Sequence, residues 1–325
     1  MKNKSTTSFE EAYKKDVYLG LTSYPKYLLS KYIYDKDGDK LFQKIMDLPE
    51  YYLTECEFNI LEQHKAQISE TFVSPDGFDL IELGAGDGKK TKILLKYLSD
   101  KKAQFKYLPI DISENALQEL EASVHKEIPE VDIKIQQGTY LETLERLAEY
   151  NSRKKVIMVL GSNIGNLLHK DAIQFLKKIR SAMSPNDMLF MGFDQKKNPQ
   201  TILNAYNDPQ GVTAAFNKNG LMRINRELRG NFNPDNFLHW ETYDPETGTA
   251  RSFLVSTKEQ QVTVGDLELE VHFEQWETIH TEISQKYDDH VVNWLAKEAG
   301  LKVTEAFSDD KNYYKNYIFR IEGDL

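Results

Sequence analysis

The fold is decided by one stretch of sequence, Asp79-Leu80-Ile81-Glu82-Leu83-Gly84-Ala85-Gly86-Asp87-Gly88. It reads as an apolar strand followed by a G-x-G-x-G turn, with a helix expected from Lys89 to Leu98. Glycines in such a turn let the backbone approach a bound nucleoside, because no Cβ atoms stand in the way. The stretch therefore predicts the first strand, turn and helix of a nucleotide-binding α/β sheet.

Details of this turn favour one nucleoside cofactor over another. A dinucleotide fingerprint would need glycine at position 89, where this chain has Lys89, and it rarely carries an acid such as Glu82 near the strand end. We therefore expect S-adenosylmethionine as the cofactor, with a dinucleotide or a purely structural glycine-rich turn as alternatives. The residues of this region expected to bind the cofactor are Glu82, Gly84, Gly86, Gly88 and Lys90.

Short apolar runs alternate with amphipathic helices after this stretch. The further strands are expected at residues 105–110, 133–136, 156–160 and 188–193, and the helices at 114–125, 141–150 and 172–183. Strands interleaved with helices in this way predict a parallel, doubly wound sheet, so the fold class is α/β.

The alternation does not extend over the whole chain. A mainly helical lead-in is expected from about residue 27 to 64, with a turn at 35–38, and an irregular segment is expected from 195 to about 249. Antiparallel strands (251–256, 261–273, 278–287), a helix (289–299) and a strand pair around 302–307 and 317–321 follow. We predict a cofactor-binding core of residues 61–194 plus 288–325 and a substrate domain of residues 1–60 plus 195–287.

Composition limits the partners and the chemistry. Cys56 is the only cysteine, which excludes a disulfide framework and a cysteine metal cluster and fits a reducing compartment. The net charge of −10 would repel a phosphate backbone, and no apolar run approaches the roughly 18 residues of a membrane helix. We expect a cytoplasmic monomer or weak dimer that acts on a small molecule, with no metal, nucleic acid or membrane partner.

Three more strand ends carry candidate ligand contacts. Asp111 can accept both ribose hydroxyl hydrogens, or it can be an ordinary helix cap. Contact of Thr139 and Tyr140 with the adenine competes with a helix cap at Thr139. The run from Gly161 to Asn166 can present backbone amides and an amide side chain to the sulfonium, although a plain Gly/Asn turn would have the same sequence.

Seven motifs then follow one another in an order and at distances that are specific as a set. They are Tyr34-Asp35-x-x-Gly38-x-x-Leu41-Phe42, Leu48-Pro49-Glu50-Tyr51-Tyr52-x-Thr54-x-x-Glu57, Glu82-Leu83-Gly84-x-Gly86-x-Gly88-Lys89-Lys90-Thr91, Gly161-Ser162-x-Ile164-Gly165-Asn166, Ala205-Tyr206-x-Asp208-x-x-Gly211-Val212-Thr213-x-x-Phe216-Asn217, Asn225-Arg226-Glu227-Leu228 and Thr281-Glu282-x-Ser284-x-Lys286-Tyr287. The set resembles the histidine-specific N-α-methyltransferases of the ergothioneine pathway over nearly the whole chain. The resemblance implies a class I methyltransferase core and a discontinuous α+β substrate domain.

The resemblance also implies a site for a free amino acid. Asn166 and Tyr206 would hold the carboxylate and amino end of the substrate, with the Gly161 backbone, Tyr34 and Tyr51 lining the same cavity. Tyr34, Asn166 and Tyr206 would then be the catalytic residues.

Two further residues would read the imidazole ring, according to the same resemblance. Glu282 can accept an imidazole N–H in a charge-assisted bond, and the Ser284 hydroxyl can donate to or accept from the other ring nitrogen. The alternative for Glu282 is an exposed strand residue that pairs with Lys286.

Three positions depart from the family pattern. Thr139 stands where the family usually has an acidic residue, which weakens the expected adenine contact, and Asn163 replaces a usual Thr or Ser. Ser252 stands where the family usually has methionine near the imidazole. We expect the smaller Ser252 to widen that end of the pocket and to weaken histidine affinity without changing the substrate.

The function expected from the sequence is S-adenosylmethionine-dependent methylation of the α-amino group of a free amino acid. The leading reaction converts L-histidine to N-α-trimethylhistidine (hercynine). One alternative substrate is another aromatic amino acid such as tryptophan, admitted beside Ser252. A cofactor-binding regulatory protein without turnover is the other alternative, and the retained site residues argue against it.

Overall fold

The computed structural model describes residues 4–138 and 153–323, with side chains from residue 9 onward in these ranges. Two compact units make up the chain. The core unit comprises residues 53–196 and 285–325, and the second unit comprises residues 1–52 and 197–284. The division predicted at residue 60 falls inside a continuous helix, Tyr52–Phe72, which belongs to the core unit apart from its first residue.

Nine α-helices lie within the described ranges. They are α1 (Lys4–Thr22), α2 (Lys36–Met46), α3 (Tyr52–Phe72), α4 (Thr91–Asp100), α5 (Glu114–Glu127), α6 (His169–Ser181), α7 (Pro199–Tyr206), α8 (Val212–Leu228) and α9 (Asp289–Glu298). Side-chain caps fix several of their starts, because the first backbone N–H groups of a helix need acceptors. Asp35 accepts the Gly38 N–H at 2.8 Å, and Ser113 accepts the Ala116 N–H at 3.2 Å.

Fourteen strands lie within the same ranges. They are β1 (Lys26–Tyr27), β2 (Phe78–Leu83), β3 (Phe105–Asp111), β4 (Asp132–Ile133), β5 (Gln136–Gln137), β6 (Lys154–Val159), β7 (Met188–Asp194), β8 (Phe237–Asp244), β9 (Thr249–Ser256), β10 (Gln260–Val264), β11 (Leu269–Phe273), β12 (Thr278–Gln285), β13 (Leu301–Ser308) and β14 (Tyr314–Ile321).

The core unit is built on one mixed sheet with the order β13-β14-β7-β6-β2-β3-β4, and β5 also pairs with β3. Strands β2, β3, β4, β6 and β7 are parallel, and β14 joins β7 antiparallel. Ile81 on β2 is paired with both Leu108 and Ile157, so β2 is central. Every residue of β2 is buried, as expected of a strand covered on both faces. The carboxyl ends of the parallel strands therefore share one edge of the sheet.

The second unit contains a four-stranded sheet with the order β1-β12-β9-β8 and a separate β10–β11 hairpin. Strands β8 and β9 are antiparallel, with Glu241 opposite Ser252. An apolar cluster buries Val17 of α1 and Leu221 of α8 together with Leu254 and Ile279 of the sheet. This packing places the sheet against α1 and α8.

The structure differs from the sequence prediction mainly in the second unit. The segment predicted to be irregular holds α7, α8 and β8, and the predicted strand 261–273 is the β10–β11 hairpin. The predicted turn at 35–38 is the capped start of α2, and α1 was not predicted. Asn and Gly within α8 lower its intrinsic helix propensity, but burial of Phe216, Leu221 and Leu228 outweighs that cost. The predicted helix 141–150 lies outside the described residues.

Two further findings concern the described residues only. None of the helices in the described ranges is long and apolar enough to cross a membrane. Within residues 4–138 and 153–323, no group of three or more His, Cys, Asp or Glu side chains is arranged to hold a metal ion.

Candidate active site

The G-x-G-x-G turn joins β2 to α4 at the carboxyl edge of the parallel strands. Gly84, Gly86 and Gly88 have φ values of +74°, +53° and +64°, a region that L side chains rarely adopt. A Cβ added at Gly86 would meet no atom within 4 Å, so the turn leaves an open cradle there. A Cβ added at Gly88 would overlap Leu120 of α5. Gly88 therefore serves the packing of α5 against the turn, whereas Gly86 faces the space that a nucleoside would need.

Glu82 lies beneath this turn and is 2% exposed. Its two oxygens accept hydrogen bonds from the hydroxyl of Thr91, at 2.6 Å, and from the hydroxyl of Tyr107. Burial raises the pKa of Glu82 to about 7, and the two hydroxyls oppose this shift. Through these two bonds Glu82 supports the turn from below, and its contact with the cofactor stays a prediction.

Asp111 ends β3 beside the glycine turn. Its carboxylate accepts the backbone N–H of Gly86 at 3.3 Å and that of Ser113 at 3.0 Å. A carboxylate offers about four acceptor positions, so these two bonds leave capacity for ribose hydroxyls. Asp111 therefore lies beside the glycine turn with acceptor positions to spare, and its contact with the ribose stays a prediction.

The turn after β6 presents Gly161 and Asn166 at the same sheet edge, both exposed. Gly161 and Ser162 have φ values of +78° and +56°. The Ser162 hydroxyl accepts the backbone N–H of the last residue of β7 at 3.0 Å, and the Asn163 amide donates to the carbonyl of residue 160 at 3.1 Å. Asn163, which departs from the family pattern, thus closes the turn itself.

Five predicted substrate residues form a cluster in the second unit. The hydroxyls of Tyr206 and Ser284 lie 2.7 Å apart. The rings of Tyr51 and Tyr206 meet edge to face, with centroids 6.2 Å apart. The Glu282 carboxylate lies close enough to the Tyr34 hydroxyl to raise its pKa electrostatically. The hydroxyls of Tyr51 and Tyr206 act in the same direction. An acid, a hydroxyl and three tyrosines therefore share one region, which is the combination expected around a polar aromatic substrate.

Tyr34 remains a neutral phenol in this cluster. Its ring packs edge to face against Phe42 and Phe216, with centroid distances of 5.4 and 5.1 Å. Burial raises the pKa of Tyr34 well above its ordinary value, and the nearby Glu282 carboxylate raises it further. At neutral pH the Tyr34 hydroxyl can therefore donate or accept a hydrogen bond, but it is not a phenolate base.

Comparison with known proteins gives a consistent result over the whole chain. A family model described as histidine-specific methyltransferase, SAM-dependent, matches residues 13–321. The histidine N-alpha-methyltransferases of Mycolicibacterium smegmatis and Mycobacterium tuberculosis are 36% and 34% identical to this chain over 93% and 92% of it, and 92% of each is covered. The chain belongs to the histidine-specific methyltransferase family. Ergothioneine biosynthesis protein 1 of Schizosaccharomyces pombe is 28% identical over 90% of this chain, which covers 38% of that larger protein.

The family is S-adenosylmethionine-dependent, and the residues of the core unit fit that cofactor. The open cradle at Gly86 suits a nucleoside, and the Asp111 carboxylate stands beside it with acceptor capacity for a ribose. The strand order and the antiparallel β14 make the core unit a class I methyltransferase core. Thr139 and Tyr140, the expected adenine contacts, lie outside the described residues.

Ser252, one of the three positions expected to depart from the family pattern, is 2% exposed on β9. Its hydroxyl donates to the Glu241 carboxylate at 2.6 Å. Glu241 is 9% exposed and lies directly opposite on β8. Part of the space next to the small serine is thus filled by a second acid, which the sequence argument did not foresee.

Several residues support the site through buried bonds that their positions in the sequence do not indicate. The Thr281 hydroxyl lies 2.6 Å from the Asn217 amide oxygen and 3.1 Å from the Ser252 carbonyl oxygen. Thr281 and Asn217 both belong to motifs of the matched set, so their positions were visible but their pairing was not. Lys286, the alternative partner for Glu282, forms a fully buried ion pair with Asp194 at 2.8 Å.

Proposed function

We propose that this protein methylates the α-amino group of L-histidine and carries the product to N-α-trimethylhistidine. The observation that supports this most directly is the cluster in which Glu282 lies by Tyr34 and Ser284 bonds Tyr206. Membership of the histidine-specific family and 36% identity to a histidine N-alpha-methyltransferase support it further. We assign Glu82, Gly84, Gly86, Gly88, Lys90 and Asp111 to the cofactor site in this proposal.

Recognition of the ring rests on a carboxylate and a hydroxyl. Glu282 accepts one imidazole N–H, and the Ser284 hydroxyl, already 2.7 Å from Tyr206, satisfies the other nitrogen. The indole of tryptophan has a single N–H donor and no ring acceptor, and phenylalanine has neither, so of these three rings only the imidazole can pair with both groups. Sites that hydrogen-bond a substrate can reject the mismatched analogue by about 10⁴–10⁵, which is why we favour histidine over tryptophan.

The amino group must present a lone pair to react. S-adenosylmethionine supplies an electrophilic methyl group and needs no metal. Tyr34 and Tyr206 hold and orient the amine by hydrogen bonds, with Asn166 on the carboxylate, and the displaced proton passes to water because Tyr34 stays a neutral phenol. Alignment and exclusion of water then provide most of the acceleration. Aromatic faces such as Tyr51 suit the growing methylammonium group.

Mass spectrometry of reactions with S-adenosylmethionine and each of the twenty amino acids tests this function. We expect histidine to gain three methyl groups on its α-nitrogen and to win in competition with tryptophan, tyrosine and phenylalanine. Glu282→Ala should abolish that preference. Glu270→Ala is the matched control, because Glu270 is an exposed acid of the same unit that bonds Gln261 on the neighbouring strand.

The other outcomes discriminate between the alternatives. Preferred methylation of tryptophan would refute the histidine assignment and leave an amino-acid methyltransferase. Binding of S-adenosylhomocysteine without turnover of any amino acid would indicate a regulatory protein. We further propose that the enzyme acts in the cytoplasm as a monomer or weak dimer on a small molecule, and light scattering after size exclusion tests the oligomeric part.

A further inference from the structure

Glu57 of α3 is a fully buried acid to which sequence reasoning gave no role. Its Oε1 accepts the Tyr314 hydroxyl at 3.0 Å and the Asn316 amide at 2.9 Å. Its Oε2 accepts the Gly161 N–H at 2.8 Å and the Lys90 ammonium. Four donors use the full acceptor capacity of one carboxylate. A single side chain therefore ties β14 to two separate turns at the carboxyl edge of the sheet.

The two oxygens of Glu57 have different surroundings. The Oε1 partners are buried side chains of β14, and they anchor α3 to the sheet. The Oε2 partners are the groups at the candidate cofactor site. A Cβ added at Gly161 would lie 3.7 Å from the Lys90 ammonium, so these two groups are neighbours. If Glu57 served only to anchor α3 to the sheet, the bonds of Oε1 would be sufficient and those of Oε2 would not be needed.

The chain leaves room for this arrangement in β7. A Cβ at Gly192 would overlap both Glu57 Oε1 and the Tyr314 hydroxyl. Gly192 has ordinary negative φ and lies inside a strand, where glycine weakens the packing. Glycine at position 192 therefore leaves the space that the Glu57 and Tyr314 side chains occupy.

We propose that Glu57 is a positioning residue for the cofactor. Its Oε2 fixes the Lys90 ammonium beside the glycine turn and orients the Gly161 N–H, and Glu57 itself does not touch the ligand. The inference rests on the proposed function in assigning Lys90 to the cofactor, and it adds Gly161, which lies next to the Lys90 ammonium, to the same site. Without the carboxylate, Lys90 would be free to sample many rotamers, and binding would have to order it again.

The test measures dissociation constants for S-adenosylhomocysteine by calorimetry in the parent, Glu57→Gln, Lys90→Met and the double variant. Glu57→Gln keeps the volume of the side chain and removes the negative charge that holds the Lys90 ammonium. We expect each single change to weaken binding about tenfold and the double change to weaken it no further, because residues acting through one contact are not additive.

Two controls separate positioning from general stability. Asp187→Asn removes a buried carboxylate that forms an ion pair with Lys155 at the opposite edge of the same sheet. We expect this variant to be less stable but to bind the cofactor within twofold of the parent. Tyr314→Phe removes one bond on the Oε1 side only, with the same expectation. Glu57→Asp, one methylene shorter with its charge kept, replaces Glu57→Gln if that variant does not fold, and we expect the same loss.

The inference is overturned if Glu57→Gln binds S-adenosylhomocysteine as tightly as the parent, if its effect adds to that of Lys90→Met, or if Asp187→Asn weakens binding equally. In steady-state kinetics, Glu57→Gln should raise KM for S-adenosylmethionine more than KM for the amino acid. The binding measurement needs no amino acid, so a wrong substrate assignment would leave its result unaffected.

Discussion

The pairing of Ser252 with Glu241 leads to a prediction about restoring the family residue. Ser252→Met would remove the 2.6 Å bond to a buried carboxylate, which contributes about 1.5–3 kcal/mol for hydrogen bonds to charged groups. The longer side chain would also overpack a site that is 2% exposed, at a cost of about 1–3 kcal/mol. We therefore expect Ser252→Met to lower the free energy of unfolding by roughly 2.5–6 kcal/mol.

The assay is urea unfolding of five proteins: the parent, Ser252→Met, Ser252→Ala, Glu241→Leu and the double variant of Ser252→Met with Glu241→Leu. Replacing both partners of a buried hydrogen bond by apolar groups can be nearly neutral. The double variant should therefore be more stable than Ser252→Met, with a coupling energy above about 1 kcal/mol. Ser252→Ala, which removes the hydroxyl without adding volume, should cost only about 1.5–3 kcal/mol.

Additive effects of the two single changes would refute the reasoning, because they would mean that the Ser252–Glu241 bond carries no energy of its own. The same variants address substrate choice. Histidine affinity should be compared between the parent and the double variant. In Ser252→Met alone, loss of the bond to Glu241 would obscure any gain from packing of the methionine against the imidazole.

Three further predictions follow from the site. Asp111→Ala should weaken S-adenosylhomocysteine binding about 10- to 100-fold in calorimetry, the equivalent of about 1.5–3 kcal/mol, and unchanged affinity would contradict the ribose assignment. Asn166→Ala and Tyr206→Phe should each lower kcat/KM for histidine at least about tenfold and leave cofactor binding within twofold; full activity of either would remove that residue from the site. Glu82→Gln should change the pH dependence of stability. Because folding raises the pKa of Glu82 from 4.5 to about 7, the free energy of unfolding of the parent should fall by on the order of 3 kcal/mol as the pH rises through this window. The variant, which has no carboxyl group at position 82, should not show this fall. Urea unfolding of both proteins between pH 4.5 and 8 checks this, and parallel curves would show that Glu82 keeps an ordinary pKa.

Local signals in the sequence were sufficient for most of the core unit. The run Phe78–Leu83 is buried throughout, and four of its six residues are apolar, a density typical of strands covered on both faces of a parallel sheet. The glycine turn was also visible, because positive φ restricts the choice of residue. The different duties of Gly86 and Gly88 were not visible, since they depend on Leu120, which is remote in sequence.

The second unit was harder to predict because tertiary contacts decide its structure. Helix α8 contains asparagine and glycine, yet it forms because Phe216, Leu221 and Leu228 are buried. The bond between Ser252 and Glu241 joins two strands across a hairpin, and neither residue indicates the other by its type. The matched motifs predict which residues belong to the site, whereas the hydrogen bonds between those residues are visible only in the structure.

The hydrogen bonds of Thr281 explain why Glu282 and Ser284 project from the same face of β12. Glu282 and Ser284 are two residues apart on β12, so they project to the same face of the strand, and Thr281 projects to the other. A slip of one residue would exchange the acid for the threonine, since strand side chains alternate with a period of two. The Thr281 hydroxyl is held by Asn217 of α8, a fully buried residue, and by the Ser252 carbonyl. The register of β12 is therefore fixed from its buried face, and Glu282 and Ser284 project together from the opposite face, where the proposed recognition of the imidazole needs them.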